Sequence, residues 1–232
     1  MRKLGKKYVE ASKLVEANKA YTLSEAVDLV KKTSITKFDS SVEIAMKLNV
    51  DTKKADQQLR GSLVLPNGNG KTKKILVLAK GAQAEAAKAA GADYVGEVEM
   101  IDKIAKENWF DFDVIIATPE MMPFLGKIGK LLGPRGLMPN PKTGTVTPTP
   151  ERAVADVKKG MIEYRADQYG NVHCSVGKVS FDNDKLVENI TFVINAMIKA
   201  KPQAVKGKYI QNISICSTMG PGIHVDANSL DK

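Results

Sequence analysis

Hydrophobic positions along this chain change their period from one segment to the next. Within residues 3–19, Leu4, Tyr8, Ala11 and Val15 recur at roughly helical spacing in a basic background. Thr22-Leu23-Ser24-Glu25 has the form of a capping box, and Leu23, Ala26, Val27 and Val30 then line one helical face. From Val42 the period becomes two. Val42, Ile44, Met46, Leu48 and Val50 alternate with Glu43, Ala45, Lys47 and Asn49, which predicts a strand with one face against a core. Gly61 to Leu65 predicts a second strand, closed by the turn Pro66-Asn67-Gly68-Asn69-Gly70.

The pattern then changes again. Lys74-Ile75-Leu76-Val77-Leu78-Ala79 is almost continuously apolar, and an alanine-rich helix from Ala82 to Ala90 follows, closed by Gly91. A short strand at Tyr94-Val95, a helix from Glu97 to Lys106, an apolar strand at Asp113–Ala117 and a helix over Pro119–Leu132 complete the series. Alternating helices and apolar-through strands indicate a parallel sheet covered on both faces. Thr149-Pro150 opens one more helix, ended by Gly160.

Beyond Gly160 the two-residue period returns. Ile162–Arg165, Val172–Val176 and Lys178–Phe181 read as short strands, with turns at Asp167–Gly170 and Gly177. Asp182-Asn183 can cap a long helix bearing Leu186, Ile190, Val193 and Met197, which stops before Pro202. Tyr209–Ser217 reads as the final strand, ended by Thr218-Met219-Gly220-Pro221-Gly222. The half-buried strands at the two ends of the chain complete one another. The expected fold is therefore α/β with two domains. Residues 1–68 and 160–232 form an α+β split domain, and 69–159 an inserted α/β parallel-sheet, Rossmann-like domain.

Charge narrows the partner. The chain of 232 residues has a formal net charge of +9, and its basic excess is largest near the N-terminal end, with 13 basic and 8 acidic groups in residues 1–70. A polyanion is the expected partner, and nucleic acid is favoured over a membrane. No apolar run approaches the roughly 20 residues of a spanning helix, and no apolar segment follows the N-terminal charges. The 2 cysteines give no disulfide framework, so a cytoplasmic setting is expected. Residues 121–150 contain no acid, four positive charges, five glycines and six of the 10 prolines, a one-signed loop that suits an anion.

Candidate chemistry is sparse. Asn67-Gly68-Asn69-Gly70-Lys71-Thr72 resembles the end of a P-loop, but Leu65 stands where its first glycine belongs and a strand follows in place of a helix. His173, Cys174, Cys216 and His224 match no zinc spacing, because adjacent strand residues point to opposite faces. With 2 histidines and no clustered carboxylates, acid–base catalysis lacks material. No catalytic residue and no metal or other cofactor is expected. Phe38, within Lys37-Phe38-Asp39-Ser40-Ser41-Val42-Glu43, is either core or a surface for a sugar or base. On the second reading Lys37 meets phosphate, while Ser41 and Glu43 accept from 2′-OH or base donors. Thr218-Met219-Gly220-Pro221-Gly222 is either a tight turn or a place where backbone closes on a ligand.

Taken together these residues resemble one family, the universal large-subunit ribosomal protein one, in its bacterial form. The resemblance is carried by Leu132-Gly133-Pro134-Arg135-Gly136-Leu137-Met138-Pro139-Asn140-Pro141-Lys142. It extends to Lys37-Phe38-Asp39 with Val42-Glu43, to Asp51–Gly61 and to Gly91-Ala92-Asp93-Tyr94-Val95. Val176-Gly177-Lys178 and Thr218-Met219-Gly220-Pro221 complete it. It implies two α/β domains, one inserted in the other, and no enzymatic activity. It implies binding to large-subunit (23S) rRNA at the mobile stalk near the exit site, and assistance to the movement and release of deacylated tRNA. It also implies repression of translation from the protein's own operon mRNA, and a monomer off the ribosome. The RNA-binding residues it implies are Lys37, Phe38, Ser41, Glu43, Thr218, Met219 and Gly220, with His173, Ser175, Gly177 and Lys178 from a neighbouring strand. Serine at position 41, where the family commonly has threonine, keeps the hydroxyl. The alternative is an enzyme that binds a phosphate or nucleotide in the inserted domain, and a general DNA-binding protein is a third reading.

Overall fold

The structure, a computed structural model, describes residues 4–16 and 19–226. In chain order its first elements are α1 (Lys6–Ser12), α2 (Leu23–Lys32), β1 (Ser41–Leu48), β2 (Arg60–Val64), β3 (Ile75–Leu78), α3 (Ala82–Ala89), β4 (Tyr94–Gly96), α4 (Val98–Glu107) and β5 (Val114–Ala117). Then come α5 (Met122–Lys127), α6 (Gly129–Leu132), α7 (Pro150–Lys158), β6 (Met161–Arg165), β7 (Asn171–Lys178), α8 (Asn183–Lys199), β8 (Ile210–Ser217) and β9 (Ile223–Val225). They divide into two compact units. One comprises the described residues up to Gly70 together with those from Ile162 onward, and the other is Lys71–Met161.

In the split unit the sheet order is β7-β1-β8-β9, antiparallel throughout. The two-residue period of β1 has its expected cause: Val42, Ile44, Met46 and Leu48 are buried among α2 and α8, while Glu43 is exposed. The Glu25 carboxylate accepts the backbone N–H of Thr22 at 3.1 Å and its hydroxyl at 2.9 Å, which fixes the start of α2. Along α8, Leu186, Ile190, Val193 and Met197 form the buried stripe. Asn189 interrupts this stripe, fully buried. It accepts the Asn67 N–H at 3.1 Å and donates to the carbonyls of Gly68 (2.9 Å) and Val176 (2.8 Å). β2 and β6 form a separate two-stranded sheet.

Several sequence expectations are corrected here. The N-terminal helix is shorter than residues 3–19 suggest and ends at Ser12, and residues 3, 17 and 18 of that stretch lie outside the described residues. Lys178–Phe181 is no strand, and Gly177 is no turn. β7 runs unbroken to Lys178, and a Cβ on Gly177 would stand 2.8 Å from Leu186 and 3.1 Å from Phe181. That glycine marks a close helix approach rather than a reversal. Tyr209–Ser217 is not the last strand either, because β9 follows it and pairs antiparallel with β8. Asp182 occupies the N-cap of α8 without a capping hydrogen bond, and its carboxylate pairs with Lys185 at 3.0 Å.

The second unit is built on a three-stranded parallel sheet, order β4-β3-β5. Ile75 and Val77 pack with Ala87, Val154 and Val157 of α3 and α7. Leu76 and Leu78 pack on the other side with Ile101, Ile104, Met121, Leu125 and Leu132 of α4, α5, α6 and their flanks. The continuous apolar strands are therefore the signature of a sheet covered on both faces. The helix expected over Pro119–Leu132 is broken into a 3₁₀ turn, α5 and α6. Ile128, between Gly126 and Gly129, leaves helical geometry at φ −101°, ψ 11°. Beyond it the Gly/Pro segment returns to the sheet: the Ala117 N–H donates to the Thr145 carbonyl at 2.9 Å and the Thr147 N–H to the Ala117 carbonyl at 3.1 Å.

One exposed clamp in this unit should respond to pH. Asp111 is held below the usual carboxylate range by Lys74, 2.6 Å away, and next by the Tyr94 hydroxyl at 3.0 Å. A lowered folded-state pKa stabilises above the unfolded value, and that contribution is lost as pH falls through the folded value. Asp111→Asn should therefore flatten the acid limb of melting temperature against pH below about 4. An unchanged acid limb would show that the clamp contributes nothing.

Candidate nucleic-acid interface

Three segments meet at one end of the four-stranded sheet. The loop from α2 carries Lys37 and Phe38 into β1, where Ser41 and Glu43 begin the strand. The turn after β8 carries Thr218, Met219 and Gly220, and Lys178 ends β7. They are stitched together by backbone contacts. The Thr218 N–H donates to the Ser41 carbonyl at 3.0 Å, and the Ser41 N–H donates to the Thr218 hydroxyl at 3.1 Å. The Asp39 carboxylate accepts the N–H (3.1 Å) and the hydroxyl (2.8 Å) of Ser180, while the Lys178 ammonium donates to the Asp39 carbonyl at 3.2 Å. Asp39 thus serves the scaffold and sets Lys178 beside the Lys37–Phe38 loop.

Two large apolar side chains stand out from this end. Phe38 is 63% exposed and Met219 72%. Phe38 is therefore at the surface and is no part of the core. Met219 adopts φ +65°, and Asn108 is the other non-glycine described with positive φ. For an unbranched L-residue the left-handed region is costly, and such strain persists where the surroundings hold it. Here Gly220 helps hold it, donating its N–H to the Ser217 carbonyl at 2.8 Å. A Cβ on Gly220 would lie 2.4 Å from the Ser217 hydroxyl oxygen, so the turn closes over Ser217 because position 220 has no side chain.

The remaining candidates fall into different positions. Glu43 is exposed and lies between Ser175 on β7 and Cys216 on β8. The hydroxyl oxygens of Ser175 and Ser217 are buried with no hydrogen-bond partner among the described residues. Ser41 is 8% exposed, and Thr218 spends its hydroxyl on the Ser41 backbone. Both therefore shape the site more than they offer free groups. His173 is exposed, one row further down the sheet opposite Ala45, and Gly177 is buried beneath α8. Ser217 was missed by sequence reasoning. No signal points to it, because an inward serine at a strand end looks like any polar boundary residue.

The other chemistry considered above has no comparable geometry. Residues 71–74, after the P-loop-like turn, lead into β3 without a helix. Burial pushes the Cys174 thiol up to about 12 and raises that of Cys216, so neither is an activated nucleophile. The 121–150 loop belongs to the other unit, where the Arg135 guanidinium lies 3.6 Å from the centre of the Phe110 ring. Among the described residues no helix is long and apolar enough to cross a membrane.

The sequence model of the ribosomal protein L1p/L10e family matches residues 30–221, a span that contains both units' sheets up to β8 and every residue from Lys37 to Gly220 considered for the interface. A match over that much of the chain, on a fold of two α/β units, identifies it: the protein belongs to the ribosomal protein L1p/L10e family.

Proposed function

We propose that the end of the split unit formed by Lys37, Phe38, Glu43, Lys178 and Thr218–Gly220 binds folded large-subunit rRNA. Family membership makes this a ribosomal protein of the large subunit, and the family is structural rather than enzymatic. The observation that carries the proposal is Met219, a strained backbone presenting an exposed apolar side chain beside exposed Phe38. Around them are groups suited to RNA. Lys37 and Lys178 offer charge to phosphate, and the Glu43 carboxylate can accept from ribose 2′-OH or base N–H. A carboxylate facing a phosphate would repel it, so Glu43 favours a ligand that presents hydroxyls or base edges. Two exposed apolar groups are too few to stack successive bases, which suits recognition of a folded shape.

On the same reading the protein sits at the mobile stalk near the exit site and assists release of deacylated tRNA. It also represses its own operon by binding an mRNA segment that mimics the rRNA. Ser41, His173, Ser175 and Gly177 complete the surface from below and beside it. The test is binding of the full chain to a stalk-rRNA fragment, with the operon leader as competitor. Phe38→Ala should weaken binding while its folding stability stays within about 0.5 kcal/mol of wild type, since the ring is exposed. Thr218→Ser should keep affinity and Thr218→Val should lose it, because only the first retains the hydroxyl tie to Ser41. Unaltered affinity in Phe38→Ala and Thr218→Val would remove the site.

A further inference from the structure

The parallel sheet of the second unit has a topological switch point. From β3, at its centre, the chain passes through α3 to β4 on one side, then through α4 to β5 on the other. In open parallel sheets ligands bind in the crevice outside the carboxyl ends of the strands, where the winding reverses. Here those strands are β3 and β5, whose last residues, Leu78 and Ala117, are paired.

Two sets of polar groups at this crevice lack a use in the fold. β3 runs through Ala79, Lys80 and Gly81 straight into α3, so the strand–glycine–helix turn that residues 67–72 fail to supply is present at 78–82. Gly81, at φ +54°, is the N-cap, brings no side chain to the helix start, and is exposed together with Ala82. Its carbonyl takes the N–H groups of Ala84 and Glu85, at 3.0 and 3.4 Å, while those of Ala82 and Gln83 have no acceptor within the helix. The second group is Thr118, which follows β5. It is 2% exposed, and its hydroxyl oxygen is buried with no hydrogen-bond partner among the described residues. Strand alternation gives its direction. Val114 and Ile116 pack in the layer of α3 and α7, and Ile115 and Ala117 in the opposite layer. Thr118 is still extended, so it faces the α3 layer, as Ala79 does beside it. The Thr118 N–H donates to the Leu78 carbonyl at 3.1 Å, which holds it against the end of β3. The Gln83 amide donates to the Pro148 carbonyl at 3.0 Å and so ties the start of α3 to the segment entering α7.

We propose that this crevice binds a single phosphate group, either inorganic phosphate or the phosphate of a nucleoside monophosphate. The N–H groups of Ala82 and Gln83 donate to it, and the α3 dipole favours its charge. The Thr118 hydroxyl adds a third donor from below, reached by a small outward shift of the exposed Gly81 turn. Lys80 is exposed at the same end, with its ammonium 5.8 Å from the centre of the Phe124 ring. Glu85, Glu120 and Glu151 are exposed near the starts of α3, of the 3₁₀ turn and of α7. Three acids near one cation repel a polyphosphate more than a single phosphate, which sets the preference.

The experiment titrates the ¹⁵N-labelled full chain with sodium phosphate, adenosine monophosphate and adenosine triphosphate in turn, against chloride at matched ionic strength. The amide signals of Gly81, Ala82, Gln83 and Thr118 should move saturably with the first two, and more weakly with the triphosphate. Tighter binding of the monophosphate than of phosphate makes the ligand a nucleotide; equal binding makes it free phosphate. Thr118→Val keeps the shape and removes the hydroxyl. It should weaken binding about tenfold and melt no lower than wild type, because the hydroxyl has no partner to lose. Ala82→Pro places proline at the first helical position, where it is tolerated, and removes one donor, so it too should weaken binding. Unmoved signals at Gly81–Gln83, or shifts confined to the split unit, would overturn the proposal. So would a Thr118→Val that binds phosphate as wild type does, or one that melts lower. The site lies in a different unit from Phe38 and Met219, so either site can fail without the other.

Discussion

Met219→Gly should bind a folded stalk-rRNA fragment more than tenfold more weakly than wild type while melting at the same temperature or slightly higher. The two effects have separate physical origins. At φ +65° a methionine pays roughly 1–2 kcal/mol that glycine does not pay. The glycine variant in turn gains unfolded-state entropy worth about 0.4–1 kcal/mol, so the folded state loses nothing and can gain up to about 1.5 kcal/mol. The side chain is 72% exposed, so its removal leaves no cavity. Against RNA it would be covered, and burying a methionine is worth about 1.5–3 kcal/mol, a factor of ten or more in affinity. A residue that costs stability in the free protein and contributes affinity in the complex is the expected signature of a binding turn. Titration of the RNA fragment against both proteins, with calorimetric melting, reads both numbers. A variant that melts lower and binds equally well would mean that the turn is only structural.

Asn189→Ala should strongly destabilise the split unit. Its amide serves the Asn67 N–H and the carbonyls of Gly68 and Val176, joining α8 to β7 and to the turn through which the chain leaves this unit. Truncation strands all three. The bond to Val176 is fully buried and the other two are partly buried, so water can replace the partner only at the turn. At about 1–3 kcal/mol for each unsatisfied buried group, discounted for that access, the loss comes to about 2–4 kcal/mol. This lowers the melting transition of that unit by about 10 °C. A change below about 0.5 kcal/mol would show that the turn re-pairs without the amide.

What could be read from the sequence follows from where burial is one-sided. The alternation at Val42–Leu48 and the apolar run at Ile75–Leu78 are direct imprints of a sheet covered on one face and a sheet covered on two. The helical stripe at Leu186–Met197 is equally plain. Misreadings arose where a residue answers to tertiary packing. Gly177 has the composition of a turn, but its missing side chain makes room for Leu186 and Phe181. β9 is three residues long, too short for a period to show. Asn189 did leave a trace, a polar residue on the apolar stripe of α8, whose meaning depends on partners more than a hundred residues earlier at Asn67 and Gly68.

The candidate site was legible in part. Phe38 and Thr218–Gly220 stood out by composition, but exposure separates surface from core and only the fold supplies it. The left-handed backbone of Met219 could not be anticipated, because glycine and asparagine are the usual occupants of that region. The acid-free loop at 121–150, the most conspicuous feature of the composition, belongs to the parallel-sheet unit. There Thr145 and Thr147 fasten it beside β5 and Arg135 stacks on Phe110.

The central claim is that RNA docks on the Phe38–Met219 end of the split unit, and one measurement addresses it directly. The chain has 9 methionines, and Met46, Met121 and Met197 are buried while Met219 is exposed. With ¹³C-labelled methionine methyl groups, a titration with the stalk-rRNA fragment should shift or broaden the Met219 signal in step with complex formation. The signals of Met46, Met121 and Met197 should stay in place. RNA binding with an unmoved Met219 signal would contradict the account.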